Sequence, residues 1–149
     1  MRFSFRTLAI VFTVVIIATY FLTLPDPFRM LAELRVGCYP NGNSYEIILD
    51  DQFDVSNVKK VVNTTNRLKL PCHVTIYSAE FDDESVTHFE YARNVNEITL
   101  VCLPITNDGF KQLKDIRYLK RIWLNGCHQI DKTGIADLQK TRPDIVIEL

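Results

Sequence analysis

The 149-residue sequence predicts an α/β protein, in which a short solenoid of stacked strand–helix units follows one N-terminal transmembrane helix. The first observation is a repeat, because the apolar pattern that begins at Ile98 and Leu100 returns 24 residues later at Ile122 and Leu124. The second is a run without charge, residues 8–24, near the start of the chain. A repeat period in the twenties is typical of solenoids, whose units pack only against their neighbours.

The uncharged run has the composition of a membrane anchor. Leu8 to Leu24 is rich in Leu, Ile, Val, Phe and Ala, and a helix of this length spans about 26 Å, slightly less than the bilayer core of about 30 Å. Adding Thr7 to the helix narrows the difference between the helix length and the thickness of the bilayer core. A cleaved signal peptide is the alternative, but Ala18-Thr19-Tyr20 is a poor cleavage site and the apolar run continues beyond it. The sequence favours an uncleaved single-pass anchor over Thr7 to Leu24.

Basic residues flank the anchor on both sides and bear on its orientation. Arg2 and Arg6 precede it closely, whereas Arg29 and Arg35 follow it. Because basic residues near a span tend to remain in the cytoplasm, the N-terminal pair favours a repeat domain on the far side of the membrane. The opening Met-Arg-Phe-Ser-Phe-Arg-Thr-Leu resembles the anchor of small bacterial membrane proteins. This resemblance implies a bacterial inner-membrane protein, and the N-terminal basic pair predicts that its repeat domain is extracytoplasmic.

The segment after the anchor is predicted to be a juxtamembrane helix and a linker. The anchor takes residues 1–25, and the connecting segment takes residues 26–44. Asp26 is a candidate N-cap, followed by Pro27 at the first helical position, where proline is tolerated. Residues 37–44 are rich in Gly, Pro and polar side chains, which predicts a linker or cap loop.

The sequence predicts that the repeat domain covers residues 45–149. Residues 45–70 form a degenerate unit that caps one end of it. No single unit can bury its apolar face alone, so several units must stack to form one core. Alternating apolar and polar residues in each unit predict a half-buried strand, and the apolar residues after it recur at helical spacing. Four helical segments separate the strands. The predicted strands are residues 46–50, 73–77, 97–101, 121–125 and 145–149.

The helical segments begin at recognisable positions. Asp82, Thr106 and Asp131 are candidate N-caps, since a side-chain oxygen can accept a hydrogen bond from an unpaired N–H of the first turn. Gly109 and Gly134 come early in their helices. The absence of a side chain there predicts that neighbouring units approach closely.

One part of the repeat carries a family resemblance. Residues 119–127, Leu-Lys-Arg-Ile-Trp-Leu-Asn-Gly-Cys, match the pattern L-x-x-L-x-L-x-x-N/C of leucine-rich repeats, and residues 128–138 resemble the cysteine-containing subclass. Residues 95–113 look like the same repeat one residue shorter, with Leu103 where Cys127 would be. The resemblance implies a short array in a shallow arc, with the Cys127 thiol packed inward.

The exposed face of the predicted sheet is the candidate binding surface. Along a strand, the residues between the buried ones point to the opposite face. The only tryptophan lies in this set, and Trp, Tyr and Arg contribute most to interface energetics. The alternative is that these side chains merely pack across strands. The candidate partner-binding residues are His73, Thr75, Tyr77, Glu97, Thr99, Arg121, Trp123 and Asn125, among which Glu97 and Arg121 are in position to form an ion pair.

The cysteines and histidines form no recognisable catalytic or metal-binding motif. No C-x-x-C pair is present in the sequence, and no acidic cluster has the spacing and glycine of a calcium loop. His73, His88 and His128 fall in different units, without the nucleophile and orienting group that hydrolysis needs. We therefore expect no catalytic residue, no metal and no cofactor. Cys38 and Cys72 flank the capping unit and are a candidate disulfide in an oxidising compartment.

Composition and charge narrow the functional classes. A net charge of −1 and the lack of a basic stripe in the sequence give no reason to expect nucleic-acid binding. We expect a non-enzymatic, membrane-anchored protein that presents a recognition surface to another protein. The alternative is a structural or assembly factor of a membrane complex, in which the anchor helix packs specifically.

Overall fold

A computed structural model describes residues 26–149, which form one mixed sheet with helical connections. Strands that are neighbours in sequence are also neighbours in the sheet, in the order β1-β2-β3-β4-β5-β6. The strands are β1 (Gly37–Asn41), β2 (Ser44–Leu49), β3 (Cys72–Ile76), β4 (Val95–Val101), β5 (Arg121–Asn125) and β6 (Val146–Glu148). The α-helices are α1 (Pro27–Glu33), α2 (Val58–Thr65), α3 (Asp83–Thr87), α4 (Asn107–Gln112) and α5 (Lys132–Thr141). Short 3₁₀ helices cover Val55–Asn57, His88–Tyr91 and Leu113–Asp115.

Strand direction and burial define a core on one side of the sheet. Strands β2 to β6 run parallel, and β1 pairs antiparallel with β2. Alternate residues of the parallel strands are buried, and they pack with apolar residues of the helical connections. Burial of such side chains stabilises the fold by roughly 25 cal/mol per Å² of apolar surface. The alternating buried residues of β2 to β5 include Ile47, Leu49, Val74, Ile76, Ile98, Leu100, Ile122 and Leu124.

The structure overturns the predicted solenoid. The antiparallel strand β1 makes the sheet mixed, whereas the prediction was a stack of about four equivalent strand–helix units. The connections are also unequal, since α3 has 5 residues, α4 has 6 and α5 has 10. The sequence repeat therefore records the even spacing of parallel strands in one mixed α/β sheet.

The transmembrane helix of the predicted fold is not found in the part of the chain that the structure describes. Over residues 26–149, no helix combines the length and the hydrophobicity needed to cross a bilayer. The predicted anchor, Thr7 to Leu24, lies outside the described residues.

Residues 37–44, which the sequence analysis interprets as a linker, form a β-hairpin instead. Gly42 takes the left-handed conformation with φ +59°, which a two-residue hairpin turn favours. The Ser44 hydroxyl donates a hydrogen bond to the carbonyl of Asn41 over 2.9 Å. The Gly and Pro content that predicted a loop therefore marks a turn and an edge strand.

The predicted strands and helix starts are confirmed. All five predicted strands correspond to β2–β6 within a few residues, and a helical segment lies between each pair. Asp82 accepts a hydrogen bond from the N–H of Ser85 at 3.0 Å, and Asp131 accepts one from Thr133 at 2.8 Å. Thr106 caps α4 in the same way. The predicted cap of α1 is also present, because Asp26 accepts from the N–H of Phe28.

Side chains at the helix starts also connect one helix to the next. Asp83 accepts hydrogen bonds from both the N–H and the hydroxyl of Thr106, at 2.8 and 2.6 Å. Asn107 accepts from the N–H of Asp131 at 3.0 Å. A Cβ at Gly109 would collide with the Asp83 carboxylate, and one at Gly134 would collide with the Asn107 amide. The two glycines thus allow the close approach predicted for them.

Replacing Leu100 tests the register of the sheet. Leu100 is fully buried, so Leu100→Ala should lower the free energy of unfolding by about 2–5 kcal/mol. The neighbouring Val101 lies on the other face, and Val101→Ala should change it by about 1 kcal/mol or less. Urea denaturation followed by circular dichroism measures both values. Equal losses in the two variants would show that the register is wrong.

The cap of α5 should make stability sensitive to acid. Hydrogen bonds from the Gly134 N–H, then from Asn107 and Thr133, hold the pKa of Asp131 below its ordinary value. The stabilisation is therefore complete above the unfolded pKa of about 3.9 and is lost as the pH falls through the lower folded value. Asp131→Asn should show a shallower loss of stability below about pH 4. Thermal melts across this range measure it, and an unchanged acid slope would contradict the role of the cap.

Candidate functional site

The sheet face opposite the core brings the predicted binding residues together. We call it the open face. In the register of the strands, His73, Glu97 and Arg121 lie opposite one another in one row. Thr99 and Trp123 lie opposite one another in the next row. Because only a two-residue step keeps a side chain on the same face, both rows project away from the core.

Trp123 is the centre of a compact cluster on the open face. Its ring stacks on the imidazole of His73, with the centroids 5.0 Å apart and an interplanar angle of 26°. His73 belongs to β3 and Trp123 to β5, so the indole reaches across β4. On β4, the strand between them, the hydroxyl of Thr99 shares a hydrogen bond of 2.7 Å with His73 Nε2. The cluster therefore ties together three neighbouring strands.

Arg121 extends the cluster towards β6. Its Cζ lies 5.2 Å from the centroid of the Trp123 ring, within the range of a cation–π contact. Its Nε lies 3.3 Å from a carboxylate oxygen of Glu148. The predicted ion pair with Glu97 is wrong, because the Glu97 side chain makes no ion pair with Arg121 in the described part of the chain. Arg121 instead pairs with the carboxylate of Glu148 on β6, the strand on its other side.

The Arg121–Glu148 contact leaves a polar atom unsatisfied. The Nε atom of Arg121 is shielded from solvent and has no hydrogen-bond partner within the described residues. The side chain as a whole is nevertheless 43% exposed. A guanidinium carries five N–H donors and binds carboxylates best when two of them act together. Arg121 thus retains capacity for a further acceptor at the surface.

An open groove of about 870 Å³ adjoins the cluster at the C-terminal end of β5. One part of its wall is polar and comes from the open face and from the turn after β5. The other part is apolar and comes from β5, the turn that follows it, the first turn of α5 and the residue after β6. Most binding sites combine such an apolar surface with a few placed polar groups. The polar lining is His73, Thr99, Trp123, Asn125, His128 and Glu148, and the apolar lining is Leu124, Cys127, Ile130, Ile135 and Leu149.

The predicted site residues differ in their exposure. Tyr77 is 38% exposed and Asn125 is exposed, as predicted for a surface. Thr75 departs from the prediction, since it is only 7% exposed. It lies between Ile48 of β2 and Thr99 of β4 in its row. Thr75 therefore contributes little to the exposed surface.

Sequence reasoning missed Glu148 and the groove. Glu148 lies opposite Trp123 in the strand register, and the predicted strand 145–149 already placed it in that row. Continuing the rows to the last strand would therefore have found it. The groove depends on the turn that follows β5, where Gly126 has φ +70°, and no repeat spacing predicts how such a turn opens.

The candidate disulfide is not formed. Cys38 and Cys72 are both free thiols, and β2 separates the strands that carry them. Neighbouring strands are about 4.8 Å apart, so two strand spacings exceed the roughly 7 Å between Cα atoms that a disulfide permits. Burial raises the pKa of the Cys72 thiol to about 12, which keeps it protonated and unreactive at neutral pH.

Cys127 lies inward, as the sequence predicts. It is 8% exposed, and its thiol donates a weak hydrogen bond to the carbonyl of Leu100 over 3.6 Å. Burial is the main cause of a raised pKa at Cys127. Its role is therefore in packing, at the floor of the groove.

The described residues also limit the chemistry of the site. Over residues 26–149, no three His, Cys, Asp or Glu side chains are grouped to hold a metal ion. His73 forms its hydrogen bond with Thr99, and within the same residues no carboxylate orients the imidazole. A hydrolytic triad requires that third group. The arrangement is instead suited to contact through stacked rings, a guanidinium and an apolar groove.

Comparisons with known proteins add no assignment. No protein-family model matches the sequence, and no curated protein shows significant similarity to it. The leucine-rich-repeat resemblance therefore rests on the sequence pattern alone, which is clearest in residues 119–138 and 95–113. Because sequence motifs and folds do not by themselves transmit function, the interpretation of the site depends on its geometry.

The stacking of His73 on Trp123 can be measured directly, since Trp123 is the only tryptophan of the chain. His73→Ala should uncover one face of the indole, raise its quenching by acrylamide and shift its emission to longer wavelength. The free energy of unfolding should change by about 1 kcal/mol or less. Glu97→Ala is the control, because Glu97 has no ring contact with Trp123 in residues 26–149. Equal quenching in both variants would contradict the stacked geometry.

Proposed function

We propose that this protein is a non-enzymatic binding module that recognises another protein through its open face. The observation that carries the proposal is the cluster around Trp123, in which a stacked imidazole and a guanidinium hold a half-buried indole beside an apolar groove. Trp and Arg are the residue types most enriched at interface hot spots.

The cluster favours binding because its side chains are already ordered. Binding costs roughly 0.5–1.5 kcal/mol for each flexible side chain that must be immobilised. In the cluster, His73 is held by Thr99, and Trp123 is held by its contacts with His73 and Arg121. A partner that packs on the indole therefore meets a preformed surface.

The lining of the groove defines the chemistry of the partner segment. Leu124, Ile130 and Ile135 offer an apolar wall, which suits an aliphatic or aromatic side chain of the partner. Trp123 lines the groove, and the Arg121 guanidinium over its ring suits a carboxylate or a backbone carbonyl next to that side chain. A partner segment with an apolar anchor beside an acceptor group fits both features.

The proposal includes attachment to a membrane. Its support is the uncharged sequence from Leu8 to Leu24, preceded by Arg2 and Arg6. With such an anchor, the open face is displayed close to the bilayer. The proposed location is a bacterial inner membrane, with the sheet on the extracytoplasmic side.

Site-specific photocrosslinking in native membranes tests the recognition surface. A photoreactive amino acid at Asn125, at the rim of the groove, should give one specific protein adduct in the full-length chain. The double variant Arg121→Ala/Trp123→Ala should lose that adduct by about tenfold or more, as expected for hot-spot residues. Circular dichroism must show that the variant remains folded.

A matched pair on another part of the surface provides the control. Lys111 pairs with Asp137 over 2.8 Å between two helices, on the side of the sheet opposite the open face. Lys111→Ala/Asp137→Ala should leave the adduct unchanged. If both double variants keep the adduct, or both lose it, the open face is not the recognition surface.

A further inference from the structure

A second surface of the described chain follows from the direction of the strands. Because β2 to β6 are parallel, the segments that lead into successive strands lie along one edge of the sheet, and the segments that leave them lie along the other. We call these the entry edge and the exit edge. The entry edge consists of residues 66–71, 91–94, 114–120 and 142–145, and the exit edge consists of residues 50–54, 77–84, 102–108 and 126–132.

The two edges carry opposite charge. The entry edge holds seven basic side chains and two acidic ones, whereas the exit edge holds nine acidic side chains and one lysine. The whole chain has a net charge of only −1. This near-neutral total does not reveal that basic and acidic side chains are separated onto opposite edges of the sheet. The basic residues of the entry edge are Arg67, Lys69, Arg93, Lys114, Arg117, Lys120 and Arg142.

Hydrogen bonds join the entry segments into one continuous ledge. The Asn94 amide donates to the carbonyl of Leu70 over 2.6 Å, which links the first two segments. The N–H of Lys120 donates to Asn96 over 2.8 Å, and Val146 donates to the carbonyl of Lys120 over 2.9 Å. Residues far apart in sequence thus form one fixed basic surface.

Two exposed aromatic rings lie on the same ledge. Tyr91 is 58% exposed and Tyr118 is 47% exposed. Arg117 lies over the Tyr118 ring. Tyrosine and basic side chains together are typical of protein surfaces at the headgroup level of a bilayer, because the rings are amphipathic and the charges attract anionic lipids.

The start of the described chain lies at this edge as well. The ring of Phe28, in the first turn of α1, packs edge-on against Tyr45 with centroids 5.3 Å apart. Tyr45 in turn donates its N–H to the carbonyl of Pro71, in the first entry segment. The described part of the chain therefore begins next to the basic edge of the sheet.

We propose that the entry edge seats the protein on anionic lipid headgroups. The inference rests on the membrane attachment proposed above and adds an orientation to it. The strands then stand roughly upright on the bilayer, the acidic exit edge points away from it, and the open face looks sideways. Each basic side chain near an anionic surface raises the binding constant for that surface about fivefold. Added salt screens the charges and lowers the binding constant.

Lysine acetylation in lipid nanodiscs tests the orientation with the full-length chain. Lys69 and Lys120 belong to the entry edge, and Lys132 on the exit edge is the internal control. In discs with about one third phosphatidylglycerol, acetylation of Lys69 and Lys120 should fall severalfold relative to pure phosphatidylcholine discs, while that of Lys132 stays constant. Roughly 1 M salt, where the screening length is about 3 Å, should abolish the difference.

Charge-reversal variants separate lipid contact from other causes of protection. Lys69→Glu/Arg93→Glu should remove the protection of Lys120 in anionic discs. Lys60→Glu/Lys132→Glu changes the net charge equally, away from the entry edge, and should leave the protection of Lys120 intact. Equal effects of the two double variants would overturn the inference, since only net charge would then matter.

The outcomes also distinguish this inference from the attachment on which it rests. Protein that stays with the discs but shows the same acetylation of Lys69 and Lys120 in both lipids keeps the attachment and overturns the orientation. Protein that fails to stay with discs of either composition overturns both.

Discussion

The register of β3, β4 and β5 is the constraint on which the core and the surface both depend. It aligns Ile98 with Ile122 and Leu100 with Leu124, so that the apolar side chains form continuous rows beneath the helices. The same register aligns Thr99 with Trp123 on the opposite face. A slip of one residue would exchange the two faces, placing the indole in the core and an aliphatic row in water. Stability and the candidate site are therefore two results of one alignment.

The helical side reinforces this alignment through hydrogen bonds between successive helix starts. Asp83 and Asn107 each bond to the residue that caps the following helix, and Gly109 and Gly134 provide the space for them. Each bond contributes only about 1 kcal/mol on its own. Together they hold successive helix starts at a fixed distance from one another. This spacing matches that of the strands on which the helices pack. The polar contacts thus set distances that apolar packing alone would leave adjustable.

Periodicity predicted the elements well and their assembly less well. The apolar repeat located five strands, and the residue types at Asp82, Thr106 and Asp131 located three helix starts, because these signals are local. The sequence pattern did not predict β1, because the glycine and proline residues of this segment are typical of loops and of hairpins alike. The unequal helices and the mixed sheet were invisible to a pattern that registers only strand spacing.

The candidate site shows the same division between local and long-range information. Seven of the eight proposed residues keep some exposure on the open face, as alternation predicts, whereas Thr75 is buried. Arg121 pairs with Glu148 because two side chains compete for it across adjacent strands, a choice that sequence alone leaves open. The basic ledge was missed entirely, since its residues form no run in the sequence and meet only through parallel strand order.

The hairpin at the start of the sheet has a consequence for association between molecules. Open strand edges are templates on which a further chain can pair. Pro40 lies within β1, the strand at one border, and has no backbone N–H to offer. At the other border, β6 is only three residues long. Both borders therefore discourage the growth of the sheet into fibres, which favours specific contacts through the open face over pairing of strand edges.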